Sequence, residues 1–162
     1  LESLKRRSGF TLIEVLVVLA IIGVVAAALA IAAIPGGSAA ARDEARRLAA
    51  LLESAMREAR ASGRSIAWSA EPRRYAFWQR GEDGDWVLYP PGSPYRSRAL
   101  PESTELTNVR VDGRFLAPGE RMVFAPYGLR SELRATVTGG GAQFTIEGDV
   151  IGRVGLARIH AH

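Results

Sequence analysis

The chain has 162 residues, 48% of them hydrophobic and 23% charged, with no cysteine and a formal charge of +4. That length allows one compact domain plus an appendage, and the missing cysteines exclude a disulfide scaffold, a thiolate metal site and a cysteine nucleophile. The histidines, His160 and His162, stand at the end of the sequence, which leaves no internal imidazole for a general base or a metal ligand.

The first element is a greasy one. Val15 to Ile34 is an unbroken run with no charged or strongly polar side chain, and about 20 helical residues match the roughly 30 Å hydrocarbon core of a bilayer. Lys5, Arg6 and Arg7 precede it, so the rule that cations stay cytoplasmic predicts the N-terminus inside and the remainder outside. Two plainer readings compete, a simple signal anchor and a cleaved secretory signal. Ala28-Leu29-Ala30 and Ala30-Ile31-Ala32 fit a signal-peptidase site, although the apolar run exceeds the usual hydrophobic region of about 7–15 residues. Neither reading needs Glu14, a lone carboxylate between Phe10-Thr11-Leu12-Ile13 and Val15-Leu16-Val17-Val18. An ionisable group in such a segment calls for a partner. Cleavage after Gly9 would expose the α-amino group of Phe10, four residues upstream, and Glu14 could neutralise that amine on a neighbouring copy.

The stretch from Gly9 through Phe10 and Glu14 to Leu19, behind a short basic leader, resembles the class III signal of type IV pilins and type II secretion pseudopilins. The resemblance implies that a prepilin peptidase cuts after Gly9 and methylates Phe10, and that Glu14 is the family's assembly glutamate. The mid-helix proline of many members is missing here. The first proline is Pro35, in Pro35-Gly36-Gly37-Ser38, where the helix either kinks or breaks and where Ser38 could cap the next helix.

From 39 to 62 the spacing predicts an amphipathic helix. Ala41, Ala45, Leu48, Leu52, Ala55 or Met56, and Ala59 form its apolar stripe. Asp43, Glu44, Arg46, Arg47, Glu53, Arg57 and Arg60 are assigned to the opposite, solvated face, with Asp43–Arg47 and Glu53–Arg57 as acid-first pairs four apart. Gly63 ends the helix.

Beyond it come short strands at 65–69, 75–78, 86–89, 108–111, 122–124, 133–137, 143–146, 150–154 and 156–159, separated by turn residues. Gly139-Gly140-Gly141 marks a hairpin; Gly148, Gly152 and Gly155 read as turns or bulges because no helix comes after them. The fold class is therefore α+β: a long N-terminal helix, hydrophobic then amphipathic, with an antiparallel β-sheet or sandwich headpiece. The expected divisions are a leader at 1–9, a transmembrane and assembly helix at 10–34, an amphipathic helix at 39–62 and a β-rich periplasmic headpiece at 63–162.

The helix from Leu48 to Ala59, Gly63 and Tyr75-Ala76-Phe77, together with Val123 to Gly128, Phe144-Thr145-Ile146 and Gly152-Arg153-Val154, resemble the H-type minor pseudopilins. That implies a structural subunit of a type II secretion pseudopilus, single-pass in the inner membrane, in or near the filament tip. Its implied partners are the prepilin peptidase, the major and other minor pseudopilins, the inner-membrane assembly platform, and secreted substrates or the outer-membrane channel. No cofactor or metal is implied. An alternative is a minor pilin of a twitching or DNA-uptake filament, with Arg130, Arg134, Arg153 and Arg158 on phosphates. Against it, loss of the leader removes Lys5, Arg6, Arg7 and Glu2 and brings the side-chain charge to +2, and Glu132, Glu147 and Asp149 are interspersed with those arginines. An anchored enzyme is the weakest reading: Asp83 with Asp85 and Asp112 with Glu120 sit in turn contexts, and no serine has a Gly-x-Ser-x-Gly frame.

Overall fold

The computed structural model describes residues 12–32, 37–127 and 131–158. The chain divides into two compact units, Leu1–Pro35 and Gly36–His162. In the first, helix α1 runs Leu12–Ala32. Its described side chains, which extend to Ala27, are all exposed. Among the described residues no helix is long and apolar enough to cross a membrane; the expected span runs past Ala27 to Ile34. Pro35, where a kink or break was expected, lies outside the described residues.

The second unit is built on helix α2, Gly37–Ser62. It starts two residues before the expected boundary, which puts Ser38 inside the first turn rather than ahead of it. Gly63 closes the helix at φ +68°, a conformation that costs glycine little. The Ser62 hydroxyl donates to the Glu58 carbonyl at 2.8 Å. The buried residues of α2 include Ala41, Ala45, Leu48, Leu52, Ala55, Met56 and Ala59, the stripe expected from the spacing. Glu44 is buried with them, contrary to its expected place on the solvated face. The spacing itself explains this, because residue 44 lies three after Ala41 and four before Leu48, on the same side of the helix.

Two antiparallel sheets share this helix as their core. The first comprises β1 (Ile66–Glu71), β2 (Arg74–Arg80), β3 (Trp86–Leu88), β4 (Arg98–Ala99) and β7 (Arg121–Phe124), in the order β3-β2-β1-β7 with β4 on β2. The second comprises β5 (Thr104–Val111), β6 (Arg114–Phe115), β8 (Leu133–Gly139), β9 (Ala142–Gly148) and β10 (Val154–Arg158), in the order β10-β9-β8-β5-β6. Pro72 and Arg73 form the two-residue link between β1 and β2, and Gly140-Gly141 that between β8 and β9, with φ +57° and +75°.

Alternation sorts each strand into two faces. Ile66, Trp68, Tyr75, Phe77, Met122 and Phe124 from the first sheet meet Leu106, Leu133, Val137 and Ile146 from the second around the α2 stripe. Burying a side chain such as Leu48 or Leu52 contributes about 1.5–3 kcal/mol. Tyr75 and Phe77 meet edge to face, 6.1 Å between centroids.

Two strand expectations need correction, and two short strands were not expected. The run at 150–154 is not a strand over its first four residues: Asp149 Oδ1 accepts from the backbone N–H of Ile151 (3.0 Å) and Arg153 (2.8 Å), holding a tight turn, and β10 begins at Val154. Strand β5 begins at Thr104, ahead of the expected Asn108, because Thr104 and Leu106 alternate inward. Its pairing with β8 shifts between Thr107 and Arg110, where Asn108 takes φ +49°. The two-residue strands β4 and β6 carry too little pattern to be read from sequence.

Candidate assembly site

Helix α1 places Glu14 in its first turn, where a carboxylate complements the positive end of the helix dipole. Around it the helix is apolar on every side, with Leu12 84% and Val24 70% exposed. Among the described residues of its unit such a helix has no packing partner, and it requires lipid or other helices around it. Gly9 and Phe10 lie outside the described residues.

In the second unit the polar group that sequence reading misplaced is the centre of a buried network. Glu44 is 4% exposed. Its Oε1 accepts from the Tyr75 hydroxyl at 2.8 Å and its Oε2 from Arg47 Nη1 at 2.7 Å. Arg47 therefore pairs with Glu44 rather than with Asp43 as the acid-first spacing suggested. Burial, then the charge of Glu44, then the hydrogen bond to it push the Tyr75 phenol far above its ordinary value. The network ties α2 to β2 through side chains 31 residues apart. Its sequence signal was positional: a carboxylate in register with the alanine and leucine stripe. The expected Glu53–Arg57 pair forms at 3.0 Å on the exposed face.

Among the C-terminal arginines, Arg134 and Arg153 each stand beside an acid. Arg134 is paired with Glu147 at 2.8 Å, and Arg153 stands 3.9 Å from Asp149. Arg158 is the last residue of β10, with its side chain outside the described set, as is the whole of Arg130. A groove of about 570 Å³ is lined by Arg110, Arg134 and Arg153 together with Glu132, Glu147 and Asp149. Cations and anions balance among the described lining residues, which therefore offer a phosphate backbone no net positive charge.

Of the acidic residues noted in sequence, Glu120 and Asp112 hold local structure. Glu120 takes Arg114 Nη2 at 2.7 Å and the Ala117 N–H at 2.9 Å, and these bonds hold its carboxyl below the usual value. Asp112 Oδ1 accepts the Glu132 N–H at 2.8 Å. Among the described residues no group of three or more histidine, cysteine, aspartate or glutamate side chains could hold a metal ion.

Comparisons with known proteins agree with this architecture. Residues 4–30 match the prokaryotic N-terminal methylation motif, and residues 44–155 match the model of the type II transport protein GspH family. No curated protein matches the chain. Two solved structures of the minor pseudopilin EpsH from the type II secretion system of Vibrio cholerae share the fold. One has a TM-score of 0.63 at 17% identity and covers 76% of this chain and 99% of that one. The other has a TM-score of 0.62 at 16% identity and covers 76% and 96%. The GspH match spans well over half of the sequence and takes in most of α2 and almost all the strands, so the chain belongs to the GspH family: it is an H-type minor pseudopilin of type II secretion.

Proposed function

We propose that the chain is made as a precursor, cut after Gly9 by a prepilin peptidase, methylated on Phe10, and held single-pass in the inner membrane with its headpiece periplasmic. From there it joins the pseudopilus in or near the tip, meeting the major pseudopilin, the other minor ones and the assembly platform. Its contribution is packing and register, with no chemical step assigned to it. The divisions are then a leader at 1–9, an assembly helix at 10–34, and the headpiece 63–162 carried on α2, whose start moves from 39 to Gly37.

The observation that carries this reading is α1 itself, apolar on all sides, exposed along its described length, and acidic in its first turn. Lipid or neighbouring helices satisfy the apolar surface. In that low-dielectric setting the Glu14 carboxylate is stabilised by a cation, and the Phe10 amine of an adjacent subunit supplies one at a fixed axial offset.

Mass spectrometry of the mature protein from membranes tests the reading. The product is expected to begin at Phe10. Gly9→Leu is expected to leave the uncut precursor, whereas Glu14→Val is cut and inserted but recruited poorly into filaments. A mature N-terminus at any other residue, or normal recruitment of Glu14→Val, overturns the proposal.

A further inference from the structure

The two sheets differ on the sides turned away from α2. On the second sheet the outer side is threonine-rich, with Thr107, Thr136 and Thr145 in register and the Arg134–Glu147 pair beside them. The Thr107 hydroxyl donates to the Thr136 carbonyl, and the Thr136 and Thr145 hydroxyls bond each other, both at 3.4 Å. The first sheet presents the opposite character. Cross-strand register sets Leu88 beside Trp78, Trp78 beside Ala67, and Ala67 beside Val123, an apolar row across β3, β2, β1 and β7. Leu88 is 44% and Val123 47% exposed at its two ends.

The middle of the row is fixed in place. Trp78 Nε1 donates to the Ser69 hydroxyl at 2.9 Å, and the Arg121 guanidinium lies 4.7 Å from the Trp78 ring centroid. Arg80 stacks likewise on Trp86, at 4.3 Å. A stacked guanidinium keeps its N–H fork in plane and available to a carboxylate. Among the described residues Arg121 has no acidic group at ion-pair distance. Tryptophan and arginine are the residue types that carry most interface energy, and side chains already held in one rotamer lose little entropy on binding.

We propose that the outer side of β3-β2-β1-β7 is a docking face for a neighbouring filament subunit, one that offers a carboxylate to Arg121 and an apolar side chain to the Leu88–Trp78–Val123 row. This rests on the reading of the chain as an assembling subunit. A protein is favoured over a single-stranded nucleic acid because one face of Trp78 is already covered by Arg121, and aliphatic Leu88 and Val123 offer no stacking surface for bases.

The absence of cysteine makes the test clean. Full-length chains carrying Val123→Cys, or Gln143→Cys on the outer side of the second sheet as control, are labelled with a thiol-reactive benzophenone in cells holding the whole secretion machinery, then irradiated. Val123→Cys is expected to give an adduct with another pseudopilus subunit whose cross-linked peptide contains Asp or Glu, and Gln143→Cys is not. Adding Arg121→Glu is expected to reduce the adduct about tenfold or more. Arg121→Lys keeps part of it, and reversing the partner's acid to lysine restores it in the Arg121→Glu background. Equal adducts at both positions, an adduct indifferent to Arg121→Glu, an adduct with nucleic acid, or none at Val123→Cys overturns the docking face. The N-terminus of the same sample separates the two failures: a chain not beginning at Phe10 overturns the assembly reading and the docking face with it. A correctly matured chain without the adduct overturns the docking face alone.

Discussion

A carboxylate at the centre of an apolar helix stripe destabilises a fold unless its lone pairs are filled, and Glu44 has two partners of unequal standing. The Tyr75 hydroxyl is buried with it, whereas the Arg47 side chain is 48% exposed. Water can replace Arg47 at little cost; nothing replaces the phenol. Tyr75→Phe is therefore expected to lower stability by about 1–3 kcal/mol, the cost of leaving a buried acceptor short of a donor. Arg47→Ala should lose less than about 1 kcal/mol. Urea unfolding of the detergent-solubilised chain, followed by tryptophan fluorescence, measures both, and equal losses would contradict this ranking. The same contact has a pH signature. A phenol whose folded value is raised stabilises the fold fully below its unfolded value of 10.0 and loses that contribution as pH climbs toward the folded one. Stability should accordingly fall from about pH 10 upward in the parent chain, and fall less steeply in Tyr75→Phe; parallel curves would remove the linkage. Glu44 also marks how far sequence reading reached at this scale. Its period placed it in the core, while its charge argued for solvent, and only the position of Tyr75 across the fold decides between them.

At the scale of elements, the β8–β9 hairpin shows a turn signal doing a second task. Three consecutive glycines announced the turn; their approach to another element could not be read from the chain. A Cβ at Gly140 would overlap the backbone N of Ser38 and come within 2.7 Å of the Gly37 carbonyl carbon. One at Gly139 would lie 2.7 Å from the Ser103 carbonyl oxygen and 2.9 Å from the Ala41 Cβ. The hairpin is thus seated backbone to backbone on the first turn of α2. Gly141 shares the positive φ, at +75°, but has nothing near it. Gly141→Ala should cost only the strain of the left-handed conformation, about 1–2 kcal/mol. Gly140→Ala carries that strain and the displacement of α2 as well, so its unfolding midpoint should drop clearly further in urea. Similar midpoints would mean that the contact with α2 is dispensable. Long strands with β-branched or aromatic alternation, such as β2, β8 and β9, were legible because burial imposes their period locally. Residues 150–153 were misread as strand because Asp149 captures two backbone N–H groups and outweighs the propensity of Val150 and Ile151.

For the molecule as a whole, the division of apolar surface decides what each unit can do alone. Among the described residues every buried hydrophobic one belongs to the second unit, from Ala41 onward, while the large apolar side chains of α1 are exposed. The N-terminal methylation motif was legible because Lys5 to Arg7, Gly9, Phe10 and Glu14 lie close together in sequence. The outer row of Leu88, Trp78 and Val123 was not, because strand register brings it together from three separate strands. Since the described side chains of α1 contribute nothing to the buried core, a chain beginning at Gly37 should be a soluble monomer that unfolds cooperatively, as light scattering and urea titration would report. One beginning at Ala39, the boundary that the helix period suggested, loses Gly37 and Ser38, the residues on which Gly139 and Gly140 rest. It should unfold at lower urea with a loosened β8–β9 hairpin, seen as faster amide exchange at Gly139 to Ala142. Equal stability of the two chains would place the start of the folding unit at Ala39 and leave the glycine seat without a role. Aggregation of the Gly37 chain would mean that the headpiece needs the neighbours it meets in the filament to stay folded.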